Sequence, residues 1–163
     1  MYSGCIYTGE IKHATMMHIF WSKSVRLTRY TDYAMRVLLY LARKPDTLCS
    51  IGDMARAYAI SQNHLMKVVN DLVNAGYLES VRGRHGGIRL ARSAADINVG
   101  ALVRHTEDDF DLVGCGSCII APACGLTSVL DEALQSFLAT LDRYSLADIV
   151  ARKGDFGYLL RAS

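Results

Sequence analysis

Three cysteines crowd into ten positions, Cys115-x2-Cys118-x5-Cys124, inside the stretch Gly114-Cys115-Gly116-Ser117-Cys118-Ile119-Ile120-Ala121-Pro122-Ala123-Cys124-Gly125. Thiolates three positions apart can converge on one inorganic centre, glycines let the backbone wrap closely around it, and Pro122 stiffens the return path. The Ile119–Ile120 pair is apolar enough to screen such a centre from water. Spacing alone leaves four chemistries open. An iron–sulfur cluster takes soft thiolates and suits a glycine-rich loop. Structural zinc also takes thiolates, but its sites usually close with four protein ligands, and no fourth Cys or His lies within a few residues. A redox disulfide between Cys115 and Cys118 lacks the strand-then-helix context of the thioredoxin type. Three plain buried thiols are the remaining possibility. Three thiolates leave a cluster one ligand short, and a weak oxygen or nitrogen donor in the fourth place would make it labile. Lability suits a sensor better than an electron carrier.

The other two cysteines are Cys5, near the amino end, and Cys49, expected to be a buried thiol after the first helix. An odd total of five argues against a secreted disulfide scaffold and for a cytoplasmic protein. With 163 residues, 51% hydrophobic and 21% charged, the chain can bury a core and is too apolar for disorder. No stretch approaches the roughly 18 apolar residues of a membrane span, so no membrane partner is expected. No nucleophile–base pairing or phosphate loop points to an enzyme.

The elements that must position the cysteines read most clearly from Val25 onward. Thr28 or Thr31 can cap a helix with apolar positions Tyr30, Ala34, Val37, Leu38 and Leu41, ending near Lys44–Pro45. Ser50 caps a short helix, Ile51 to Ala57. Ser61 caps a third, with apolar set Leu65, Val68, Val69, Leu72 and Val73 and Gly76 as its stop. Tyr77–Arg82 and Gly87–Ala91 then read as strands around a Gly83–Gly86 turn. Helix, helix, helix, hairpin is the order of a winged helix-turn-helix. Ile97–Thr106 forms a further helix, an acidic loop follows, and a long helix runs from about Leu126 to Leu141. Its apolar residues Leu126, Leu130, Leu134, Phe137 and Leu141 make one stripe, expected to pair with a second copy. Ser145 caps a last short helix through Lys153. The fold class is therefore mainly α with a small β-hairpin.

Charge divides along the same lines. Residues 1–24 carry +1, residues 25–92 carry +6 and residues 93–163 carry −5. A basic front half suits a polyanion such as double-stranded DNA. Gln62, Asn63 and His64 open the third helix, the turn that usually meets base edges. Lys67 on that helix and Arg82, Arg84, His85 and Arg89 on the hairpin are placed to meet phosphates, and Arg84 at the tip can enter a minor groove. The expected division is a 1–24 leader, a 25–92 DNA-binding domain, a 93–125 connecting helix and cysteine loop, and a 126–163 dimerisation region. The leader has neither sustained period nor signal-peptide layout. It is expected to be dispensable, with Val25 a possible true start at a non-AUG codon.

Val25-Arg26-Leu27-Thr28-Arg29-Tyr30-Thr31-Asp32-Tyr33, Ser61-Gln62-Asn63-His64-Leu65-Met66-Lys67 and Val81-Arg82-Gly83-Arg84-His85-Gly86-Gly87-Ile88-Arg89-Leu90 resemble the bacterial winged-helix iron–sulfur repressors. So do Thr106-Glu107-Asp108-Asp109-Phe110, the stretch from Cys118 to Leu126, and Tyr144-Ser145-Leu146-Ala147-Asp148. Asn63-His64 and the Glu-Asp-Asp-Phe run favour the nitric-oxide-sensing branch over regulators of iron or cluster supply. The resemblance implies a homodimer that represses nitrosative-stress genes by binding an inverted-repeat operator while it carries a 4Fe-4S cluster, or a 2Fe-2S one. Nitric oxide would damage the cluster and lift repression. It implies Cys115, Cys118 and Cys124 as metal ligands and Asp32 of the partner subunit as the fourth; an acid at a helix start is also simply favoured by the dipole. One departure stands out. Family members commonly place four or more residues between the first two cysteines, and this chain places two. A regulator of iron, cluster supply or redox state on the same scaffold, or a zinc-stabilised DNA-binding module, is the alternative.

Overall fold

The computed structural model describes residues 26–110 and 112–152. The expected leader, the Val25 start and the last turn to Lys153 lie outside them. Six helices and one hairpin are described: α1 (Arg29–Ala42), α2 (Ile51–Tyr58), α3 (Gln62–Asn74), β1 (Leu78–Val81), β2 (Gly87–Leu90), α4 (Val99–Thr106), α5 (Leu126–Asp142) and α6 (Leu146–Arg152).

The helix starts follow their capping chemistry. Thr28, rather than Thr31, caps α1: its hydroxyl accepts from the Thr31 N–H. Thr31 instead turns inward and is fully buried. Ser50 caps α2 through the Asp53 N–H, and Asn98 caps α4 through the Ala101 N–H. The Ile97 expected to open α4 lies before that cap, buried in the core. Ser61 sits at the start of α3 but makes no side-chain capping bond. Gly76 follows the C-cap of α3 at φ +74°, the left-handed turn its position called for. Ser145 and Asp148 cap α6 reciprocally, with hydrogen bonds of 2.7–3.2 Å.

One apolar core joins the front elements. Val37, Leu38 and Leu41 of α1 meet Met54 of α2, Leu65, Val68 and Leu72 of α3, and Leu78 and Ile88 of the hairpin. Ile97, Leu102 and Leu146 extend the same core toward the back of the molecule. The hairpin is antiparallel, pairing Leu78 with Leu90 and Val81 with Gly87. It is held to the body by a bridge between Cys49 and Ile88, with N···O distances of 3.0 and 2.9 Å. A Cβ on Gly87 would stand 2.9 Å from the Cys49 carbonyl oxygen, so only glycine permits that approach. The back half closes similarly: Asn98 bridges Ser145, and Arg104 forks onto Asp142 at 2.6 and 2.8 Å. That ties α4 to the end of α5. No described helix is long and apolar enough to cross a membrane.

Candidate DNA-binding head and cysteine loop

The helix-helix-helix-hairpin order of a winged helix-turn-helix is present as expected. Gln62, Asn63 and His64 occupy the opening turn of α3 and are exposed, as is Lys67 one turn on. His64 stacks on Tyr33 of α1, ring centroids 6.4 Å apart, so its imidazole is oriented while its edge stays open. Arg82, Arg84 and His85 lie in the turn between the strands, all exposed. Among the described residues the side chains of Lys67, Arg82, Arg84 and His85 make no hydrogen bond or ion pair, so their donors are available to a polyanion. Arg89 differs from its three neighbours. It pairs across the strands with Glu79 at 3.1 and 3.2 Å, which neutralises much of its charge. It is a strand fastener more than a phosphate donor.

The cysteine loop is two successive tight turns. Gly114 at φ +61° opens the first, Cys115–Ser117, which the Cys118 N–H closes on the Cys115 carbonyl at 3.1 Å. The second, Ala121–Ala123, closes when the Cys124 N–H reaches the Ala121 carbonyl at 3.2 Å. Both turns therefore deliver a cysteine at their exit. Cys115, Cys118 and Cys124 are free thiols, Cys118 exposed and the other two half-buried. The Thr127 hydroxyl, in the first turn of α5, donates to Cys115 Sγ at 3.6 Å. That contact fixes the Cys115 side chain against the start of α5.

Among the described residues, no three His, Cys, Asp or Glu side chains are gathered around one ion-sized point. Three soft donors with a hydroxyl aimed at one of them fit a polynuclear iron–sulfur group, whose ligands need not converge on a single ion. They do not form a closed four-ligand zinc cage. Asp32 stands in the first turn of α1, half-exposed, with Arg36 Nε on its Oδ1 at 2.9 Å. It is not brought to the cysteines of its own chain. Cys49 is buried as expected, and burial pushes its thiol pKa up, away from ligand chemistry.

Apolar surface surrounds the loop. Ile119 is 95% exposed, and Ile120, Val113, Leu126, Val129 and Phe137 are also open. The stripe on α5 divides: Leu130, Leu134 and Leu141 are half-buried, whereas Leu126 and Phe137 face out, and the residue that packs fully on the molecule's own interior is Leu138, beside the stripe. A groove of about 760 Å³ runs beside Phe137, lined also by Leu27, Thr28, Glu107, Phe110 and Leu134 among others.

Three side-chain ties escaped the sequence reading. Glu107 accepts hydrogen bonds from Thr28 and Thr31, His105 meets Asp71 at 2.9 Å, and Arg104 holds Asp142. The partners are 34 to 79 positions apart, beyond the reach of periodicity. Only Thr31, a hydroxyl in line with Ala34 and Leu38 on a buried helix face, signalled that a distant partner was needed.

A winged reading head followed by a loop of three reduced thiols defines a class of DNA-binding regulator. The chain belongs to the Rrf2 family, described as iron-dependent transcriptional regulators, whose model matches residues 27–152. It is 50% identical over 143 residues to the HTH-type transcriptional regulator NsrR of Bacillus subtilis (strain 168), covering 84% of this chain and 98% of that protein. A putative transcriptional regulator from Listeria innocua shares its structure with a TM-score of 0.66 at 26% identity, over 83% of this chain and 92% of that one. IscR of T. potens does so with a TM-score of 0.65 at 25% identity, over 82% and 96%. The protein is a transcriptional regulator and not an enzyme.

Proposed function

We propose that this protein is a cytoplasmic, nitric-oxide-responsive repressor whose operator binding depends on an iron–sulfur cluster. The observation that carries the reading is the pair of tight turns that deliver Cys115, Cys118 and Cys124, as free thiols, from one loop on a DNA-binding scaffold. Similarity to NsrR-named regulators and the family's iron-dependent description support it. The three cysteines would hold the cluster, a 4Fe-4S one in preference to 2Fe-2S, with Asp32 of the partner subunit as the fourth ligand. When bound, the cluster supplies iron that reacts with nitric oxide.

The chain's own residues do the rest. Residues 25–92 form the reading head. Gln62, Asn63 and His64 meet base edges from the opening turn of α3, while Lys67, Arg82, Arg84 and His85 neutralise phosphates. The exposed residues of α5, Leu126, Val129 and Phe137, pair with a second copy to place two heads on an inverted repeat. Asp32 would exchange its Arg36 contact for the partner's loop, so that loop and head of opposite subunits hold one another. Losing that tie changes the spacing of two heads whose half-sites lie one helical turn apart, and tolerance for misplacement there is small.

Protein purified without air should be brown, and stoichiometric nitric oxide should bleach it and release operator DNA together. A colourless protein that binds zinc and ignores nitric oxide would favour the zinc-stabilised module. A brown protein whose DNA binding follows iron supply or redox state, with no response to nitric oxide, would favour the sister regulators.

A further inference from the structure

Glu107 is where α4 ends and the cysteine-bearing segment begins. Its own N–H still closes the last turn of α4 on the Val103 carbonyl at 3.0 Å. Its side chain serves another element. Oε1 accepts from the Thr28 N–H at 2.8 Å, from the Thr28 hydroxyl at 3.1 Å, and from the Thr31 hydroxyl. Thr31 is fully buried, and its single hydroxyl proton faces a second acceptor, Thr106 Oγ1, at 2.8 Å. Thr106 in turn donates to the Leu102 carbonyl at 3.0 Å. The last turn of α4 thus grips the first turn of α1, and Asp32 follows Thr31 directly. Cys115 lies eight positions beyond Glu107.

We propose that Glu107 is a positioning residue that sets the start of α1 against the cysteine loop, so that the state of the loop reaches the reading head through Thr28 and Thr31. The inference rests on the cluster-dependent reading above. Three features make the contact suited to the task. A carboxylate at a helix N-terminus satisfies an otherwise unpaired N–H and is favoured by the dipole. Hydrogen bonds to an ionised acceptor are the strong kind, and they fall away steeply once distance and angle are spoiled. The residue is also joined by continuous backbone to the loop whose state it would report.

The test compares Glu107→Ala, Glu107→Gln and Thr31→Val with wild type in the full dimeric protein, cluster-loaded and cluster-free. Iron and sulfide content should be unchanged in all three. The expected result is that Glu107→Ala lowers the ratio of cluster-free to cluster-loaded operator Kd by about tenfold, the scale of ordinary coupling between sites. Glu107→Gln keeps the accepting oxygen and should retain most of the ratio, and Thr31→Val should lower it. Independently of the cluster, the Thr28 amide of cluster-free Glu107→Ala should exchange about tenfold faster, as a freed helix start frays. If Glu107→Ala weakens binding equally in both states, or not at all, the inference is overturned. Should Glu107→Ala fail to fold, an unchanged ratio in Thr31→Val overturns it. Failure of the underlying reading shows differently, as a wild-type ratio of one, and takes the inference with it.

Discussion

His105 Nε2 lies 2.9 Å from Asp71 Oδ2, so α4 is fastened to the last turn of α3, the end opposite Gln62, Asn63 and His64. Tyr30 of α1 donates to the same carboxylate, the Tyr77 ring stands 5.8 Å from the His105 ring, and the Arg92 guanidinium lies 4.5 Å from the Tyr77 ring centroid. Three helices therefore meet at Asp71. The tilt of α3 is set there, while its opening turn stays exposed.

Burial, and then the hydrogen bond to Asp71, push the Tyr30 phenol from 10 up to about 12. The raised value fixes the sign of its pH dependence. The neutral phenol is the form the fold prefers, so its stabilisation is complete below pH 10, where the unfolded chain also keeps the proton. It is lost as pH rises from 10 to 12. Denaturant titrations should show wild type losing stability across that window more steeply than Tyr30→Phe. At neutral pH the variant should be less stable by about 1 kcal/mol, the low end for a bond to a carboxylate because Asp71 is half-exposed.

The wing and α3 should separate by salt dependence. Arg84→Ala and Lys67→Ala should each weaken binding to operator and unrelated DNA alike, and reduce the slope of log K against log salt by about one. Asn63→Ala should instead cost about 1–3 kcal/mol on the operator alone and relax one base preference. Arg89→Ala, which loses a cross-strand partner in Glu79, should lower thermal stability more than it changes the salt slope. Filter binding over a salt series distinguishes the three.

Gly87→Ala would place a methyl 2.9 Å from the Cys49 carbonyl and 3.1 Å from Leu48 Cβ. The hairpin would have to lift from the bridge that seats it. A loss of about 1–3 kcal/mol is expected from overpacking of this kind, with weakened DNA binding, since Arg82, Arg84 and His85 ride on that hairpin. Thermal melts and operator titration measure the two effects.

The sequence carried the helices and hairpin well because their signals are local. Thr28, Ser50 and Ser145 mark helix starts, Gly76 marks a stop, and the α1 and α3 apolar positions repeat at helical spacing. Ser61 misled as a capping side chain because the pattern Ser-Gln-Asn-His says where a helix starts, not which way a hydroxyl turns. Arg89 looked like a free cation because strand register, which sets it against Glu79, is not written in the composition. The thiol spacing disclosed the cysteine loop at once. The Glu107 and Asp71 contacts depend on how α4 packs beside α1 and α3, and only tertiary structure brings those residues together.

Cys118 is exposed and holds up no core, so Cys118→Ser should leave the melting temperature of the cluster-free protein nearly unchanged. Its effect should fall on the cofactor alone. The most direct measurement is anaerobic native mass spectrometry of the reconstituted wild-type and Cys118→Ser proteins, with operator binding followed in the same samples. The account predicts a wild-type dimer carrying iron and inorganic sulfide that binds operator more tightly than its cluster-free form, and a variant that carries neither and binds like the cluster-free protein. A wild-type dimer that takes up no iron and sulfide, or one that binds operator equally well with and without them, would contradict it.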